Sequence, residues 1–71
     1  MAQKHLRHVR RCAERLEEAR SDLAYAILAA AKSGESIRDI VPFAGVSRSK
    51  VHDLLIEAQE FERRRERDRQ D

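Results

Sequence analysis

Two groups of side chains in this 71-residue sequence have the types and spacing to do chemistry. His5, His8 and Cys12 recur at three- and four-residue steps, so a helix would put two imidazoles and a thiol on one side, a combination that a soft transition metal could use. The set stops one ligand short of a tetrahedral site and no second cluster completes it, so neither a metal nor another cofactor is expected. A thiol beside an imidazole could also act as a nucleophile. So short a chain, however, supplies neither an oxyanion hole nor a concave pocket, and enzymatic activity is not expected. The second group is Ser47, Arg48, Ser49, Lys50 and His52, which gathers hydroxyls, cations and an imidazole within one short run. Such a run either contacts anions and hydrogen-bonding partners or forms an ordinary exposed polar face.

Charge alone does not name a partner. Lys and Arg number 15 against 13 Asp and Glu, a formal net charge of +2. Distribution says more, because Lys4, Arg7, Arg10 and Arg11 precede the first acid, Glu14, and can face phosphate or simply solvent. In the tail, Arg63, Arg64, Arg65, Arg67 and Arg69 are nearly cancelled by Glu62, Glu66 and Asp68. A single cysteine, Cys12, leaves no intrachain disulfide and suits a reducing cytoplasm. With no charged-then-apolar leader, secretion is not expected. The longest apolar stretch, Leu23 to Ala31, is about half of the ~20 residues needed to cross a bilayer, so a buried helix and no membrane partner are expected. Tyr25 and Phe43 are too few to stack single-stranded bases and read as core or interface residues.

These side chains must be positioned by helices, since no strand pattern or internal repeat occurs. Apolar residues recur at Leu6, Val9, Ala13 and Leu16, then at Leu23, Ile27 and Ala30, and no Gly or Pro interrupts before Gly34. The pattern predicts one helix of about thirty residues. It also fits a heptad, with Leu6, Ala13, Arg20 and Ile27 at one core position and Val9, Leu16, Leu23 and Ala30 at the other. Arg20 breaks that seam and marks where a partner-facing segment gives way to one buried in the protein's own core. Lys32-Ser33-Gly34 ends the helix. Ser36 caps a second, with Asp39 placed to complete a capping box, and Ser47 caps a third, with Val46 and Val51 forming a hydrophobic staple. The third helix runs through Leu54, Leu55, Ala58 and Phe61 until the apolar period dissolves into charge after Glu62, where the last turns are expected to fray.

The stretch from Ser36 to Leu55 has the form of a helix-turn-helix: two short helices crossing steeply, Gly45 free to take positive φ at the corner, and Ile37, Ile40, Val41, Ala44, Val46, Val51 and Leu54 on the inner faces. In the pattern Ile40-Val41, Ala44-Gly45-Val46-Ser47, Val51 and Leu54, the sequence resembles bacterial and phage helix-turn-helix proteins. More narrowly, it is similar to the small three-helix kind seen in sigma-factor region 4 and resolvase-type DNA-binding domains, over Leu23 to about Ala58. Val41 stands where the family places a small residue, and Pro42 would kink or shorten the second helix. The resemblance implies that the third helix enters the major groove by its N-terminal residues. Arg48, Ser49 and His52 would then reach base edges, with Arg48 able to bond guanine O6 and N7 together. Ser47 and Lys50 would hold phosphates, and Arg38 on the second helix would do so with less support. Asp53 would repel phosphate or accept from a cytosine amine.

The sequence therefore predicts an all-α chain with a long N-terminal helix followed by a helix-turn-helix. Residues 1-22 form a helical extension, 23-61 a DNA-binding domain and 62-71 a charged tail. The expected function is sequence-specific binding of double-stranded DNA by a homodimer, in a cytoplasmic, nucleoid-associated transcriptional regulator or accessory DNA-organising factor. No small-molecule ligand is evident. Dimerisation is expected because so small a core needs further support and because Leu6, Val9, Ala13 and Leu16 have no obvious cover within the chain. The rival reading is a helical protein-interaction module, an antirepressor or sigma-factor adaptor, that keeps the helix-turn-helix as a scaffold. An exposed Phe43 would favour such a protein contact.

Overall fold

An alanine-, leucine- and charge-rich sequence with no helix breaker sustains a single long helix, and in the computed structural model α1 spans Ala2–Lys32. The structure describes residues 2–70, with side chains from Gln3 to Asp68; the ends of the chain, including the tail's Arg69 side chain and Asp71, lie outside the described residues. Two further helices follow, α2 over Ile37–Ala44 and α3 over Arg48–Gln70, so among the described residues the fold is all-α with three helices. Among these residues no helix is long and apolar enough to cross a bilayer.

The turns obey local chemistry. Gly34 closes α1 with φ at +105°. Ser36, in extended conformation, caps α2 by accepting the Asp39 amide on its Oγ at 3.2 Å. Ser47 Oγ likewise accepts the Lys50 amide at 3.1 Å. Between α2 and α3, Gly45 takes φ +71° and ψ +14° and donates its amide to the Val41 carbonyl at 3.3 Å. Pro42 does not end α2, which continues to Ala44. It lies in the last turn, where its only lost amide bond would have gone to the carbonyl of exposed Arg38, which water can reach.

One core joins the three helices. Ala24, Ile27 and Leu28 from α1, Ile40 from α2, and Val51, Leu54, Leu55 and Ala58 from α3 are buried, and Val51 and Leu54 are shielded almost completely. Leu23, Ala30, Ile37, Val41, Ala44 and Val46, all expected to face inward, are half-buried against this cluster. The core is nonetheless wider on α1 than a two-position heptad suggests, because α1 meets two helices. Its Leu23, Ile27 and Ala30 stripe adjoins α2, while Leu28 and Ala31 adjoin α3. Tyr25 packs edge-on against Phe61, ring centroids 6.1 Å apart and planes at 89°.

Ion pairs flank this packing. Arg20, the seam-breaking residue, swings to α3 and forms a two-pronged bond to Glu57, at 2.9 and 2.7 Å. Lys32 pairs with Glu62 at 2.7 Å. Both pairs are solvent-exposed and contribute at most about 1 kcal/mol each, so they orient α3 along α1 more than they hold it there. Helical backbone continues across residues 22 and 62. Beyond Glu62, α3 stays helical through Gln70 although its side chains from Arg63 to Asp68 are exposed. Arg and Glu are good helix formers without any apolar period.

Two stability measurements follow. Leu54→Ala should cost about 2–5 kcal/mol in denaturant unfolding, a large share of the stability of so small a domain, whereas Phe43→Ala should change it by less than about 0.5 kcal/mol. Gly45→Ala should cost about 1–2 kcal/mol from backbone conformation alone, since a Cβ there meets no atom within 4 Å.

Candidate nucleic-acid interface

Burying Val51, Leu54, Leu55 and Ala58 fixes how α3 is turned about its axis, and the rotation per residue then decides what its first turns present. At ~100° per residue, Ser49 and Asp53 project opposite the buried side, with Arg48 and Lys50 on the two flanks. All of Ser47, Arg48, Ser49, Lys50, His52 and Asp53 are exposed. The serine cap holds the chain at Ser47 in the geometry that starts the helix, and the Val51 amide donates to the Ser47 carbonyl at 2.9 Å. Val46, half-buried just before the cap, and Val51 both pack into the core, which anchors this end of α3.

Arg48, Ser49 and His52 come together with Ile37 and Asp53 around one shallow depression where α3 leaves the corner. Arg38 on α2 and Lys50 on α3 are exposed but lie outside that depression, as does Ser47. Neither Arg48 nor Lys50 is tied up in an ion pair among the described residues. The guanidinium and ammonium are therefore available to an outside anion. Ser47 Oγ uses a lone pair on the Lys50 amide and keeps its hydroxyl hydrogen to donate.

Ile37 at the rim of the depression was expected only as a core residue. It is half-buried and serves both sides, which a binary inward-or-outward assignment misses. Asp53 places a carboxylate within the same depression as Arg48 and His52. That carboxylate opposes any approach by phosphate directly over the depression and favours a hydrogen-bond donor there.

At the other end of the chain, Leu6, Val9 and Leu16 are 64%, 62% and 70% exposed, and Ala13 is exposed as well. The four lie on a single face of α1 that is left uncovered among the described residues. His8 Nε2 and Cys12 Sγ approach to 3.7 Å. Among the described residues no three metal-ligating side chains converge.

A second apolar surface has no counterpart in the expected site. Phe43 is 93% exposed and stands over a groove between α1 and α2 formed by Leu23, Ala26, Ala30 and Ala44, with Glu35 and Asp39 at its edge. Phe43, which the sequence marks as a core or interface residue, is not in the core: Pro42-Phe43 falls on the outer side of a helix whose inner side is set by Ile40, Val41 and Ala44. Comparison with known proteins finds no matching family model, no matching curated protein and no matching solved structure.

Proposed function

We propose that the protein binds double-stranded DNA through the first turns of α3. The observation that carries this reading is the pairing of a fully buried Val51–Leu54 face with a free polar face, Arg48, Ser49, Lys50 and His52, at the serine-capped start of the same helix. A helix start offers unpaired amides and a positive dipole end to phosphate, and a major groove admits one helix. In this reading Arg48, Ser49 and His52 meet base edges, while Ser47, Lys50 and Arg38 hold the backbone. The resemblance to small three-helix DNA-binding domains supports the same orientation. The protein acts as a homodimer, a regulator of transcription or an accessory DNA-organising factor of the nucleoid, with Leu6, Val9, Ala13 and Leu16 in the subunit contact.

The exposed Phe43 favours a second reading, in which the chain is a helical adaptor and its groove receives another protein. Duplex affinity measured against salt separates the two. A DNA reader loses affinity steeply as salt rises, with a log–log slope of about −0.9 per phosphate contacted. An adaptor shows no duplex binding even at low salt. Within the DNA reading, Lys50→Ala should weaken all sequences alike and flatten the salt slope by about 1, whereas Arg48→Ala should cost about 1–3 kcal/mol at a preferred site and relax base preference. Unchanged affinity and selectivity in Arg48→Ala would show that α3 is presented to DNA the wrong way round. Sedimentation checks the assembly: Leu16→Glu should run as a monomer, and an unaltered dimer mass would remove Leu16 from the interface.

A further inference from the structure

The apolar face of α1 says which way two copies must lie. It starts at Leu6, is uncovered through Leu16, and runs on to half-buried Leu23 at the mouth of the Phe43 groove. Charge is distributed unevenly along the same helix. Lys4, Arg7, Arg10 and Arg11 occupy its first third without an acid, whereas Glu14, Glu17, Glu18 and Asp22 follow and outnumber the Arg15 and Arg20 among them. A parallel pair would set the two basic segments side by side and stack Arg20 on the partner's Arg20 in the seam. Both arrangements are repulsive. An antiparallel pair lays each basic segment along the partner's acidic one.

Antiparallel seams alternate the two heptad core positions across the pair, so the possible alignments differ by whole heptads and can be compared one by one. In one, Arg10 lies nearest the partner's Arg10. A slide of one heptad the other way past the favourable alignment brings Glu17 against the partner's Glu17. Between them lies the alignment that sets Leu6 on the partner's Leu23 and Ala13 on the partner's Leu16, and there Arg10 faces the partner's Glu17. The outward charges at matching heights also alternate in sign, Arg7 with the partner's Asp22 and Arg11 with the partner's Glu18. In the remaining layer, Val9 meets the partner's Arg20. The guanidinium of Arg20 is already drawn out of the seam to Glu57, leaving its methylenes to cover the valine.

We propose that two copies of this chain pair antiparallel through α1 in this alignment, with Leu6 and the basic first turns of each copy seated at the Leu23–Phe43 groove of the other, beside Glu35 and Asp39. The proposal rests on the homodimer part of the reading above and adds its direction and register. Glu17 is free to take part: its contact with Arg20 is a loose 3.5 Å, and its side chain is 71% exposed. The arrangement also fixes a spacing. The two-fold axis falls between residues 14 and 15, and at 1.5 Å per residue the two Ile27 positions, where each three-helix core is centred, lie ~38 Å apart along the rod. That is close to one turn of duplex, ~34 Å.

Two measurements on the full chain test this. Arg10→Glu and Glu17→Arg should each raise the dimer dissociation constant by roughly tenfold, and the double variant should restore it, since the two positions face each other only across an antiparallel pair. Spin labels at Lys4→Cys in a Cys12→Ser background should lie about 35–40 Å apart, against about 20 Å for a parallel pair. A short distance, or failure of the double variant to recover, overturns the direction and register while leaving a homodimer standing. A monomer mass in sedimentation throughout the concentration range used for the spin-label measurement overturns the homodimer as well.

Discussion

Everything in this molecule turns on one side of α3, the stretch from Val51 to Ala58 on which both other helices close. Among the described residues the core has eight buried side chains, all apolar and three of them supplied by α1. With so little to bury, the rotation of α3 is set by Val51, Leu54, Leu55 and Ala58 together, and a turn of the helix would expose two of them while drawing a charge inward. An unpaired charge in so small a core would cost several kcal/mol, more than such a domain can spare. The polar face of α3's first turns is thus held outward by what lies behind it.

The corner depends on the same packing. Gly45 turns the chain in a left-handed conformation that no neighbour would obstruct sterically, so its contribution is a direction of travel. Ser47 then starts α3 within two residues, and Val46 and Val51 pin that start to the core. The uncovered half of α1 follows from the other side of the balance. The exposed first half of α1 retains an apolar stripe, and among the described residues no tertiary contact orders the helix there. In the proposed dimer a partner helix would supply both the cover and the order.

Much of this architecture was legible in the amino-acid order, for identifiable reasons. Ser36, Ser47, Gly34 and Gly45 punctuate the chain, and their caps and positive φ values fall where local chemistry requires them. The break at Arg20 was visible as a charge in an apolar seam, but its partner Glu57 was not, because a contact across thirty-seven positions of sequence leaves no periodic trace. Ala24 and Leu28 escaped a reading confined to two heptad positions; a helix that meets two others needs a wider apolar stripe, and the alanines that provide it look neutral. Pro42 reads as a kink or an early end because helix interiors reject it, whereas in the last turn, three residues before the Gly45 cap, it forgoes a single amide bond. Of the candidate site, the exposure of Arg48, Ser49 and His52 follows from the spacing of Val51 and Leu54. The inclusion of Ile37 and Asp53 in their depression depends on the crossing of α2 over α3, which sequence does not carry.

In the proposed function the outward edge of α3 reads duplex DNA. Selection of bound duplexes from a random pool tests it most directly, because one result reports binding, base preference and spacing together. The expected result is enrichment of a near-palindrome with half-sites about one helical turn apart. A pool that emerges without sequence preference, or from which no duplex is retained at low salt, would contradict it.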